Sequence, residues 1–164
     1  MEFLSQDESA GPVPEGVDPV AWARIEAWVA RRWTPRTVVW VVKGPGVFRP
    51  PLGPVPELVA DIWTPEGYEP AMFDNEPEGP VLRAATYRIT ATVGAGPVPA
   101  EALEAAARLS AYLSEGAGVG IPGASSYGVN LGQIGENFRR NPAWMARAME
   151  WSGAADLLRP YRRA

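Results

Sequence analysis

Ala85-Thr-Tyr-Arg-Ile-Thr-Ala-Thr-Val93, followed by Gly94-Ala-Gly-Pro-Val-Pro99 and the run Ala100–Ser114, decides the fold class of this 164-residue chain. The first piece alternates polar and apolar residues, the pattern of a strand with one face toward water. The second is a turn, and Pro99 suits the start of a helix. The third consists largely of Ala, Leu and Glu, with Gly116 just past its end, and predicts a helix. Ala102, Ala106, Leu109 and Leu113 form its apolar stripe, and such small residues imply close approach to another helix. A strand passing through a turn into a helix indicates an α+β protein.

Working toward the N-terminus, Thr37-Val-Val-Trp-Val-Val42 is β-branched and aromatic, hence a second strand. It lacks polar alternation, so both faces should be covered, by the fold or by neighbouring subunits. A third strand is expected at Leu58–Trp63, after the connector Pro50-Pro-Leu-Gly-Pro-Val-Pro56. Residues 64–80 read as an acidic loop with room for a short hairpin. Asp18-Pro19 pairs a good N-cap with a proline at the first helical position. Trp22, Ile25, Val29 and Trp33 follow at helical spacing, with Trp28 beside them, which predicts a helix over 19–33 ended by Thr34-Pro35. Residues 1–17 are acidic, small and proline-containing, and predict a loose arm.

Toward the C-terminus, residues 116–132 form a Gly-rich tether. Asn141-Pro142 repeats the cap-and-proline signal, and Trp144, Met145, Ala148, Met149 and Trp151 make the apolar face of a short helix stopped by Gly153. The expected division is an arm at 1–17, a core at 18–115, and a tether, helix and tail at 116–164.

The chain contains no His and no Cys. It therefore lacks an imidazole base, a thiolate nucleophile and the preferred ligands of zinc and similar metals. No cofactor, no metal and no catalytic residue is expected. Gly118-Val-Gly-Ile-Pro-Gly123 matches G-x-G-x-x-G but follows a helix rather than a strand, and Pro122 removes a needed donor; it reads as linker. Glu57 with Asp61, or Asp74 with Glu76, supplies the acid pairs a glycosidase-like hydrolase would need, without any sign of a cleft. No apolar run approaches the ~20 residues of a membrane span, and the acidic N-terminus is unlike a signal peptide, so a protein used without export is expected.

Charge is unevenly spread. Residues 1–137 hold nine basic and seventeen acidic side chains, net −8, and residues 138–164 hold six Arg against Glu150 and Asp156, net +4. No base falls between Arg49 and Arg83, whereas Glu57, Asp61, Glu66, Glu69, Asp74, Glu76 and Glu78 do. Ends of opposite sign steer a molecule onto a partner or onto another copy of itself. Arg139, Arg140, Arg147, Arg159, Arg162 and Arg163, with Tyr161 for stacking, are the candidates for phosphate contact, but the chain as a whole is acidic. The tail offers Leu157, Leu158 and Tyr161 as anchors, with Arg159, Arg162 and Arg163 able to grip carboxylates. It either folds back on its own domain or docks in a partner through its tether.

The middle of the chain resembles head–tail connector (adaptor) proteins of long-tailed bacteriophages and gene transfer agents. The resemblance covers roughly residues 18–115, and its most telling part is the strand ending near Gly94, Val98-Pro99 and the Ala/Leu helix. It implies a small helical core with an inserted β-sheet or hairpin region, to which the residues of this chain add an extended C-terminal helix plus tail. It further implies a homo-oligomeric ring of about twelve copies in the virion neck, closed by heterologous contacts. Such a ring, made in the bacterial host cytoplasm, joins the portal protein to a stopper or tail-terminator protein, and DNA passes through it without sequence-specific binding. Leu157, Leu158, Arg159, Pro160, Tyr161, Arg162 and Arg163 become the portal-docking candidates. The alternatives are another neck or tail component, stopper or tail terminator, and then a carboxylate-dependent hydrolase. The chain departs from the pattern in its short N-terminal helical part and its long tether and tail.

Overall fold

The computed structural model describes residues 1–77, 79–118, 126–131, 134–139 and 144–162, with backbone only at 75, 116–118, 126–131 and 134–139. Along the chain run β1 (Glu2–Glu8), α1 (Pro19–Val29), β2 (Arg36–Lys43), β3 (Gly46–Val47), β4 (Glu57–Thr64), β5 (Gly67–Pro70), β6 (Asp74–Glu76), β7 (Gly79–Leu82) and β8 (Thr86–Val93). Then come α2 (Ala100–Gly118), β9 (Ser126–Leu131), β10 (Ile134–Arg139), α3 (Ala148–Trp151), α4 (Ala154–Leu157) and a 3-10 turn at Arg159–Tyr161. The protein is α+β.

The chain divides into two compact units, each discontinuous in sequence: Met1–Val13 with Ala30–Val98, and Pro14–Val29 with Pro99–Ala164. The expected divisions at 17/18 and 115/116 therefore both fall inside the second unit. The first unit is built on a five-stranded antiparallel sheet in the order β1-β2-β8-β4-β5. A smaller sheet, β3-β7-β6, joins it. Alternation in β8 sends Tyr87, Ile89, Ala91 and Val93 into the core and leaves Thr86, Arg88, Thr90 and Thr92 half-exposed. Val38, Trp40 and Val42 of β2 fill the same core, together with Phe48, Leu52, Ala60 and Leu82. Fully burying side chains of this size stabilises by about 1.5–3 kcal/mol each, so this layer holds the unit together. The other face of β2, Val39 and Val41, is only half-buried.

Three expectations change here. Residues 2–8, expected within a loose arm, form the outermost strand, paired antiparallel from Glu2↔Lys43 to Glu8↔Val38 with a shift between Phe3 and Ser5. Specific contacts outweigh the weak composition: Trp40 Nε1 donates to Gln6 Oε1 at 2.8 Å, and the Phe3 and Phe48 rings lie 5.8 Å apart. Second, α1 ends at Val29, because Ala30 adopts φ +50° and the Arg32 N–H then donates to Gly53 O at 2.8 Å. Trp33 is consequently buried in the sheet unit rather than along the helix face. Third, the acidic loop holds more than the short hairpin it had room for: β4 and β5 form that hairpin from Asp61↔Pro70 to Thr64↔Gly67, and β6 additionally pairs with β7.

In the second unit Asp18 caps α1 as expected, its Oδ2 accepting from the Ala21 N–H at 2.8 Å. Ala21, Trp22, Ile25 and Val29 are buried on α1, and Ala102, Ala105, Ala106 and Leu109 on α2. The helix α2 runs two residues past Gly116. Part of the expected tether, Ser126–Leu131, is instead strand β9, paired with β10; residues 119–125, with most of the glycine motif, and Asn141-Pro142 lie outside the described residues.

Candidate functional site

Two four-residue helices and a 3-10 turn carry the C-terminal segment. Gly153, at φ +75°, separates α3 from α4, a left-handed conformation in which a side chain would be strained. This reversal turns α4 onto α2, where the alanines leave room for it. Ala154 and Leu158 are completely buried, and the Leu158 N–H donates to Ala154 O at 3.1 Å. The Tyr161 hydroxyl reaches Glu101 Oε2 at 3.3 Å, and the Arg162 guanidinium lies over the Trp28 ring, 5.1 Å from its centroid. Of the docking candidates, Leu158 is the one that folds back into its own unit. Leu158 is committed to its own unit and unavailable to a partner.

What remains outward is a narrower set. Arg159, Pro160 and Arg162 are exposed, Leu157 and Tyr161 half-buried, and Arg163 lies outside the described residues. Arg159 meets Asp156 at 2.9 Å with both side chains at least three-quarters exposed, a pairing worth little in water.

A second feature, not anticipated, surrounds Arg24. Its guanidinium donates to Met145 O at 3.1 Å, and Trp28 follows one turn later on α1. Met145, Arg147 and Trp151 are exposed, with the Arg147 guanidinium 6.0 Å from the Trp151 centroid. The signal was present in sequence as Arg24 and Trp28 at i, i+4 beside the buried face, but only the fold brings Met145 to them.

The acid pairs fare differently. Glu57 and Asp61 share one face of β4 four residues apart, about 13 Å at strand rise, too far for a carboxyl pair flanking one bond. Asp61 is moreover held by Arg88 at 2.8 Å. Asp74 lines a cavity of about 330 Å³ with Met72, Phe73, Val81, Arg83 and Tyr87, and among the described residues no other carboxylate lines it. The Tyr87 hydroxyl there accepts from the Arg83 N–H at 3.2 Å. Among the described residues no group of three or more acids stands ready for a metal, and no helix is long and apolar enough to cross a membrane.

On the outer face of the sheet Trp63 packs edge-on against Tyr68, ring centroids 5.0 Å apart, with the Arg88 guanidinium 4.4 Å from the Tyr68 centroid. Trp63 and Val59 are each more than half exposed.

No family model matches the chain, and neither a curated protein nor a solved structure matches it significantly. The site must be read from its own geometry.

Proposed function

We propose that this chain is a structural neck protein of a virion, an adaptor that assembles as a ring with copies of itself and joins a portal to a stopper or tail terminator. In this reading the helical unit is the core, and Ala30–Val98, lying between α1 and α2, is the β insertion. The observation that carries it is the ordered tail: Leu158 anchors the segment, and Arg159, Pro160 and Arg162 face outward. A segment held in place before binding loses less entropy on docking than a free one, so a few cations on it suffice to grip acidic partner groups. The resemblance of residues 18–115 to connector proteins gives the partner, and the tail gives the surface.

The test is capture of the portal protein encoded with it. R159E/R162E should lose most portal binding while melting within a few degrees of the wild type, because both side chains are exposed and their contacts, to Asp156 and over the Trp28 ring, are together worth about 1 kcal/mol. L158A should instead lower stability by about 2–4 kcal/mol through the cavity it leaves. Portal binding unaffected by R159E/R162E, in a folded protein, would sink the proposal. Removing the whole tail would not be informative, since it would also strip Ala154 and Leu158 from their packing.

A further inference from the structure

Apart from Trp28, whose ring the Arg162 guanidinium overlies, the Arg24–Trp28–Met145–Arg147–Trp151 surface of the second unit has no role in portal docking as proposed above. Neither Arg24 nor Arg147 meets a carboxylate among the described residues; Arg24 is spent on Met145 and Arg147 on the Trp151 face. Exposed Trp and Met flanked by Arg is the composition that contact surfaces favour over ordinary solvated surface.

The β4–β5 hairpin offers its complement. Exposed Trp63 packs on half-buried Tyr68, Met72 follows fully exposed, and Glu66 and Glu69 are exposed at the turn and along β5. Asp74 and Glu76 continue the acidic run on β6, and the chain has no base between Arg49 and Arg83. Arg88, the nearby base on β8, is already held by Asp61 and Tyr68. The two surfaces thus match in kind, aromatic with charged flanks, and oppose in sign.

We infer that the Arg24–Trp28–Met145–Arg147–Trp151 surface of one copy receives the acidic β4–β5 hairpin of the next. The inference deepens the ring reading and rests on it for closure. Because the two surfaces differ, the contact is heterologous and propagates head to tail, and it closes into a ring when the rotation per copy divides the circle. Attraction between oppositely charged flanks makes association sensitive to salt and sets its register.

A charge swap in the full-length protein tests this. R24E/R147E leaves the hairpin intact, and E66K/E69K leaves the helical surface intact; all four side chains are outside the buried core. Light scattering at low salt should show the wild type associating and each variant alone monomeric, with at least about a tenfold higher midpoint concentration. Mixed in equal amounts, the variants should associate again, since each supplies the partner for the other's altered surface. Circular dichroism melts confirm that both are folded. Association by either variant alone at the wild-type midpoint, or a mixture that stays monomeric, would overturn the inference. So would a wild type that is monomeric at every concentration, or one whose R24E/R147E variant loses only binding to a DNA duplex. A wild type that never associates would count against the ring as well; the other outcomes leave the neck reading standing, and it fails separately if an assembling protein does not bind the portal.

Discussion

Glu8 closes the outer strand onto the sheet. Its carboxylate accepts from Arg32 Nη2 at 2.9 Å and from Arg36 Nη1 at 3.2 Å, and Arg36 also donates to the Thr34 hydroxyl. The hydrogen bond from Arg32 holds the Glu8 carboxyl below its ordinary value of 4.5; burial pushes the other way, and the charges of the two guanidinium groups assist. A group whose folded value is depressed stabilises the fold above its unfolded value and loses that contribution as pH falls through the folded one. Glu8→Gln should therefore cost about 0.5–1 kcal/mol at pH 7, a modest sum because the pair is partly solvated. Paired thermal melts of wild type and variant check this: the gap should be constant from neutral pH down to about 5 and close below pH 4.5 as the wild-type carboxyl protonates. A gap that persists unchanged in acid would show that Glu8 acts through packing rather than charge.

Elements with a periodic signal were legible, and those without one were not. β8, β2 and β4 announced themselves by alternation or β-branching, and α1 and α2 by apolar spacing and caps. β1 did not, because Glu2–Glu8 is an edge strand with nearly every position exposed, and a strand that buries little has no alternation to read. What fixes it is three particular side chains: Phe3 on Phe48, Gln6 on Trp40 and Glu8 on its arginines. The tail posed the same difficulty at the candidate site. Leu157, Leu158 and Tyr161 stood out as anchors, but a four-residue helix is too short for periodicity to say that Leu158 faces in and Arg159 out. The arginine–tryptophan surface needed residues 24 and 145 to meet, which no local pattern encodes. A strand held this way makes a testable element. Deleting residues 1–9 removes the Gln6–Trp40 hydrogen bond, the two ion pairs of Glu8 and the Phe3–Phe48 ring contact, together about 2–3 kcal/mol, along with the pairing to β2. It also opens the edge of β2, whose Val38–Val42 run is a template for pairing with other chains. The deletion should lower the melting temperature by roughly 5–10 °C and raise light scattering near the transition. A truncated protein that melts and scatters like the full chain would mean β1 is only laid against the sheet.

At the scale of the whole molecule, the composition that withholds an imidazole and a thiolate also withholds a pH switch near neutrality. With neither His nor Cys, the net charge of −4 is carried by groups that titrate in acid or well above neutrality. Ordinary carboxyls lie near 4 and tyrosines near 10, leaving only the α-amino group in between. Proton-linked stability needs a group that changes charge between folded and unfolded states in the range examined. The melting temperature should thus form a plateau from about pH 6 to 8.5 and fall only in acid, below about pH 4.5, as depressed carboxyls such as Glu8 take up protons. Self-association driven by arginine against carboxylate should share that plateau, since neither partner changes charge within it, and respond to salt instead. Melts and light scattering on a common pH series, repeated at low and high ionic strength, separate the two variables. A step in either property near pH 6–7 would contradict the argument. It would require a carboxyl displaced far from its ordinary value, because the chain holds no imidazole to supply the step.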